Sequence, residues 1–186
     1  MRPETVVYGT MASVLRNYTG FDATVEEAAT SITIKVKDVP LYGGNRGNVY
    51  FSFPRSRISV NGVVKLTNPI ESREVRIMTD GKSFPHPHVW DNGVPCWGGA
   101  NIRDLTSMFE MMVHTLTWDN VTNDSREIGH YTDCECVRQM GVDYERHIRS
   151  HKKIMADAMI KRNEEPGQYF VKIFPKRLDD RLRLIQ

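Results

Sequence analysis

Sixteen residues, Phe84 to Gly99, restrict what this chain can fold into more than any other stretch. Phe-Pro-His-Pro-His-Val-Trp-Asp-Asn-Gly-Val-Pro-Cys-Trp-Gly-Gly holds three prolines, three glycines, two histidines, two tryptophans and a cysteine. Each proline fixes φ and removes a backbone donor, and each glycine admits backbone angles that other residues avoid, so neither a helix nor a regular strand can run through it. The segment predicts a rigid, irregular loop that presents side chains, and loops of that kind carry function. Its most reactive group is the thiol of Cys96, which the loop holds in a set place. The competing reading is a proline-rich core loop whose cysteine is merely buried.

The surrounding residues carry a pattern. His86 opens a His-Pro-His-Val run ten residues before Cys96, and Asn92-Gly93 falls just short of the cysteine. This resembles the active-site loop of the ubiquitin-conjugating enzymes, in which a His-Pro-Asn tripeptide stands at the same distance from the thioester-forming cysteine. The His-Pro-His variant followed by Cys96-Trp97-Gly98 is similar to the prokaryotic and phage branch of that family. The resemblance implies an α+β domain: a first helix, an antiparallel sheet of about four strands, the thiol loop, then flanking helices. It also implies a transferase that accepts a ubiquitin-like protein on Cys96 from an activating enzyme and passes it to an amine on a protein target.

The remaining sequence is compatible with that architecture in most places. Val7, Met11, Val14, Leu15 and Tyr18 recur at helical spacing, and Thr19-Gly20 supplies the stop. Ile32, Ile34 and Val36 alternate with Thr33, Lys35 and Lys37, the two-residue period of a half-buried strand. Gly43-Gly44-Asn45 predicts a turn into a second strand at Val49–Pro54, paired antiparallel with the first. Asn61-Gly62 predicts a hairpin between Ile58 and Leu66, and residues 73–79 supply a fourth strand. The Tyr-Pro and Pro-Pro pairs that the family places before its last sheet strand are missing. Leu105, Met108, Phe109, Met112, Val113 and Leu116 form one apolar stripe, with Asp104 as N-cap. Only seven residues separate Cys96 from Asp104, fewer than is usual in the family. Residues 118–124 read as a polar loop. A further amphipathic helix spans 143–162 through Tyr144, Ile148, His151, Met155, Ala158 and Met159, with Arg146, Arg149, Lys152, Lys153, Lys161 and Arg162 outward. Glu165-Pro166-Gly167 predicts its end, and Tyr169–Phe174 a short strand or extended tail. Residues 1–140 are thus expected to form the conjugating-enzyme-like domain, and 141–186 a C-terminal helix and basic tail packed on it.

The chemistry of a thioester carrier needs an exposed thiol and a donor for the oxyanion of each tetrahedral intermediate. A free cysteine has a pKa near ~8.5, so a small thiolate fraction suffices without a dedicated base. In the family the tripeptide's asparagine is credited with the oxyanion donor, or with bracing the loop, and here His88 stands in its place. An imidazole can donate one N–H, or it can take a proton as asparagine cannot. The resemblance assigns Asp124, or more weakly Asp119, to the acidic position that helps an incoming lysine lose its proton; capping acids in a solvated loop are the competing reading. His86 is expected to brace the loop through its ring. A Cys–His pair also fits a cysteine hydrolase. The same fold could serve as a non-catalytic protein-binding module, or be borrowed by a phage structural protein. His130, Cys134 and Cys136 form the one zinc-like cluster, with His147 or His151 as fourth ligand, but Cys-x-Cys is tighter than the usual structural spacing; the commoner reading of two such cysteines is a half-buried step into a helix, and no metal is expected. No cofactor is expected.

Three cysteines, an odd number, and a start without an apolar signal core predict a cytoplasmic protein rather than a disulfide framework. No apolar run approaches membrane-spanning length, so no membrane partner is expected. Charge is uneven: residues 1–143 carry 14 basic against 17 acidic side chains, and residues 144–186 carry 11 against 6. That imbalance is too mild for a nucleic-acid footprint and suits an acidic protein surface equally well.

Overall fold

The computed structural model describes residues 1–96, 101–121, 140–160 and 163–185. Helix α1 (Pro3–Thr19) begins with Pro3, whose missing N–H costs nothing at a helix start. It buries Val7, Met11, Val14, Leu15 and Tyr18 and ends on Gly20 at φ 80°, whose N–H returns to the Arg16 carbonyl at 2.8 Å. That left-handed cap is why a glycine stands there.

Strands β1 (Ala23–Glu27), β2 (Ser31–Pro40) and β3 (Arg46–Pro54) follow, each antiparallel to the next. Two-residue strands β4 (Ile58–Ser59) and β5 (Lys65–Leu66) pair only with each other. Strands β6 (Arg76–Thr79) and β7 (Lys82–Ser83) complete the main sheet, whose order is β1-β2-β3-β6-β7. Alternation decides the faces. Ile32, Ile34, Val36, Val49, Phe51, Phe53 and Ile77 all point into one core. On the other face the Thr33 and Ser52 hydroxyls meet at 2.6 Å and the Lys35 ammonium sits 5.4 Å from the centre of the Tyr50 ring.

Among the described residues three helices follow: α2 (Leu105–Thr117), α3 (Tyr144–Ala158) and α4 (Pro166–Arg183). In α2 the Asp104 carboxylate accepts the Ser107 N–H at 2.7 Å, and the apolar stripe joins the core that α1 and the sheet share. Helix α4 packs against α1 and α2. Phe109 stacks on Phe170 at 4.8 Å and Phe170 on Phe174 at 4.4 Å. Among the described residues no helix is long and apolar enough to cross a membrane.

The architecture is therefore α+β with a mostly antiparallel sheet and helices, and four details depart from the sequence reading. Tyr169–Phe174 is helix, not strand or tail. Phe170, Phe174 and Leu178 recur every four residues and are buried together, and the Pro166 read as a stop is a helix start. Pro175 removes one helix hydrogen bond, a loss outweighed by seating two phenylalanines and a leucine in the core. Among the described residues the main sheet has five strands rather than about four, because the short edge strand β1 and the two-residue β7 carry too little pattern to be read. The Ile58–Leu66 hairpin forms but stays outside the main sheet, and residues 72–74 are a short 3-10 turn before β6. Helix α3 ends at Ala158, which is exposed.

Candidate functional site

The loop after β7 is tied to the sheet before it turns away. The Phe84 N–H donates to the Ile77 carbonyl at 3.0 Å, and the Ile77 N–H donates to the Gly93 carbonyl at 2.8 Å. Between these ties the chain makes a tight turn. The Trp90 N–H reaches the Val94 carbonyl at 2.9 Å, the Gly93 N–H reaches the Trp90 carbonyl at 2.8 Å, and Asn92 Oδ1 accepts the Val94 N–H at 3.0 Å. Gly93 adopts φ 83°, a value that glycine takes freely. Asn92 and Gly93 are thus the turn chemistry of the motif.

The turn folds the two arms of the loop together. Val89 bridges Pro95, and the Cys96 N–H donates to the His88 carbonyl at 2.7 Å. The cysteine and the histidine eight residues earlier therefore stand side by side, and both are half-buried.

His86 lies beneath them, fully buried with Pro85 and Pro87. Its Nδ1 accepts the His88 N–H at 2.9 Å, so the ring's proton belongs on Nε2. The ring stacks on Phe84 at 5.8 Å and meets Trp118 edge-on at 4.8 Å. Burial, and then the nearby His88 and His151 rings, push its pKa well below the ordinary histidine value, and the imidazole is neutral.

Trp118 is fully buried, not part of a polar loop. It follows α2 with φ 61°, an uncommon conformation for a bulky residue. Beyond it, His151 of α3 lies tilted against the indole at 4.0 Å, and burial drives its pKa down to about 4. Trp118, Val121, Met140, Tyr144 and Ile148 form a second, smaller apolar cluster, against which Cys96 and Tyr42 pack. The thiol therefore has the sheet-anchored loop on one side and the α2–α3 corner on the other.

Asp119, the weaker acidic candidate, faces away from this chemistry in its bonding: its carboxylate pairs with the His114 ring at 3.9 Å. That pairing holds Asp119 below the usual carboxylate range and pushes His114 up. Asp124, His130, Cys134 and Cys136 lie outside the described residues. Of the two residues considered as a fourth zinc ligand, His147 meets the Tyr42 ring edge-on at 5.5 Å and His151 packs on Trp118. Among the described residues no group of three or more metal-ligating side chains is placed to hold an ion.

Sequence reasoning singles out Cys96, His88 and His86, and the fold brings all three together. It misses Trp118 and the place of His151. The available signal is a histidine within the apolar stripe Tyr144, Ile148, His151 and Met155; nothing in spacing points to Trp118.

Comparison with known proteins adds little. No known family matches the chain, and no solved structure does. It is 27% identical over 113 residues to a protein of Plasmodium falciparum (isolate 3D7) described only as uncharacterized. The match covers 61% of this chain but 7% of that much longer protein.

Proposed function

We propose that this chain has the ubiquitin-conjugating-enzyme-like fold and works as a thioester carrier for a ubiquitin-like protein, with Cys96 as the acceptor. The observation that supports this most is the bond from the Cys96 N–H to the His88 carbonyl at 2.7 Å, which sets the thiol residue beside the histidine that replaces the family's asparagine. The element order supports it too: a helix, an antiparallel sheet, a proline-fixed thiol loop, then helices.

In the first step the Cys96 thiolate attacks the thioester carbon held by an activating enzyme and expels that enzyme's thiolate. In the second a target amine attacks the new thioester, loses a proton and expels the Cys96 thiolate. Each step passes through an oxyanion that a fixed N–H donor would stabilise. His88 supplies that N–H from its imidazole, and His86 braces the loop. The acidic position beside the thiol is assigned by resemblance to Asp124. The partners are an activating enzyme, a ubiquitin-like protein and a protein target, and the setting is the cytoplasm.

The test is incubation with a candidate activating enzyme, its modifier and ATP, read on a non-reducing gel. A reductant-sensitive adduct should form, vanish in Cys96→Ala and become a reductant-resistant oxyester in Cys96→Ser. An adduct that survives Cys96→Ala would refute the assignment. Alkylation that labels Cys134 and Cys136 in the native protein but never Cys96 would also refute it.

A further inference from the structure

The α2–α3 corner behind the thiol loop holds two polar rings that no step of the proposed chemistry uses. Trp118 Nε1 and His151 Nε2 are buried and have no hydrogen-bond partner among the described residues. Leaving such groups unpaired in the interior is costly. Trp118 carries the further cost of a left-handed backbone at φ 61°, in a residue type that rarely adopts it. Two penalties at one residue mark a position that the surrounding structure holds in place.

Contact geometry says what is held. The indole is wedged between His151 at 4.0 Å and the edge of His86 at 4.8 Å. His86 in turn accepts the His88 N–H, and the His88 carbonyl accepts the Cys96 N–H. The contacts run without a gap from α3, through the end of α2, to the thiol.

We propose that Trp118 and His151 are positioning residues for Cys96. Together they clamp the His86 ring so that its Nδ1 keeps the His88 N–H, and through that bond they set the His88 carbonyl and the cysteine it holds. This rests on the carrier reading for its consequence in transfer, but the clamp itself can be tested without a modifier.

The clamp requires a neutral His151. A proton there would place a cation inside the cluster of Trp118, Val121, Met140, Tyr144 and Ile148. An indole face attracts a cation, yet burial outweighs it, since the pKa falls to about 4. Among the described residues, the other titratable groups about the corner do not relieve that cost. The nearby His86 is itself buried and neutral, and the neighbouring Lys152 on α3 donates to the Val121 carbonyl. His147 on α3 is held edge-on by Tyr42, and the Asp119 carboxylate after α2 is taken by His114.

The experiment is site-resolved amide hydrogen exchange on the whole chain, corrected for intrinsic rates, with the His88 and Cys96 amides as reporters. In Trp118→Ala these two should lose protection by about tenfold or more while the Ile34 and Phe51 amides of the sheet keep theirs, as local opening does. Trp118→Phe, which restores an aromatic ring at the wedge, should recover most of the loss and serves if Trp118→Ala does not fold. In the native protein protection of the two amides should fall as pH drops from about 6.5 toward about 4. In His151→Phe, which fills the same space and cannot titrate, the fall should be smaller, the remainder belonging to His86, whose buried neutral ring also takes a proton when the loop opens. Equal losses across loop and sheet would reduce Trp118 to a general core residue and overturn the proposal. Unchanged His88 and Cys96 protection in both Trp118 variants, or an acid profile that His151→Phe leaves as it was, would do the same. A variant with an opened loop but a native rate of thioester formation would overturn the positioning of Cys96 for transfer while leaving the carrier reading standing. Loss of the thioester reading with the clamp intact is the reverse case.

Discussion

Replacing Gly93 with alanine should loosen the thiol loop from the sheet, and its cost can be worked from two separable parts. The first is backbone: Gly93 sits at φ 83°, where a Cβ costs about 1–2 kcal/mol. The second is contact: a Cβ built there overlaps Met78 Sδ and comes within 3.3 Å of the Ile77 carbonyl oxygen. The thioether is the flexible end of a side chain and can move, but the carbonyl belongs to the strand that ties the loop down. Moving both adds about 1 kcal/mol, the low end for overpacking. The sum is about 2–3 kcal/mol, or a fall of about 5–10 °C in Tm for a chain of this size. Gly43 provides the control. It has φ 87° and nothing within 4 Å of an added Cβ, so Gly43→Ala isolates the backbone part. Thermal and denaturant unfolding of both variants should therefore differ by about 1 kcal/mol. Gly93→Ala should also alter the alkylation rate of Cys96, whereas Gly43→Ala should not. Equal costs for the two variants would refute the idea that close approach to β6 fixes the loop.

Four other outcomes follow from named groups. If His88 donates to the oxyanion, His88→Asn should retain most thioester transfer and His88→Ala should slow it by about 10²-fold, measured by single-turnover discharge to an amine; a folded but inactive His88→Asn would assign His88 to proton transfer instead. Asp104→Ala removes the N-cap bond to Ser107 and should cost about 1 kcal/mol in urea unfolding without changing Cys96 reactivity. The unfolded chain protonates His151 below about pH 6.5 whereas the folded chain refuses the proton until about pH 4, so His151 alone should lower stability by about 3 kcal/mol across that window; His86, buried and neutral as well, adds to the fall, and His151→Phe should remove only the His151 share. His114, raised by Asp119, works in the opposite sense: it adds stability below the ordinary histidine pKa that is lost as pH rises through its folded value, weakly because the pair is exposed.

What is legible in the sequence divides by how far each determinant lies from the residue it acts on. Strand β2 is plain because Ile32, Ile34 and Val36 alternate over enough residues to choose a face. Helix α2 is plain because six apolar side chains share one stripe and Asp104 caps it. Strand β1 has five residues and buries Ala23 alone fully, so its pairing to β2 is the only thing that makes it a strand. Helix α4 misleads for a different reason. Tyr169-Phe170-Val171 has strand-like composition, and only the four-residue recurrence of Phe170, Phe174 and Leu178 against Phe109 decides for helix. Propensity loses to tertiary packing there.

The same division runs through the site. The turn at Trp90–Gly93, the Asn92 bond and the bond from the His88 N–H to the His86 ring all join residues within four positions of one another, so the motif contains its own instructions for bringing Cys96 back beside His88. The seat of the His86 ring does not come from the motif. Phe84 supplies one wall, but the other is Trp118, placed by the end of α2 and backed by His151 from α3. No spacing rule links residues 86, 118 and 151, because they meet only once the helices have packed. A segment spanning residues 84–96 alone would therefore retain a reason to turn and no reason to hold His86 neutral and buried. The neutral, Nε2-protonated His86 that the His88 bond demands is a property of the assembled fold, and the geometry of the thiol follows from it.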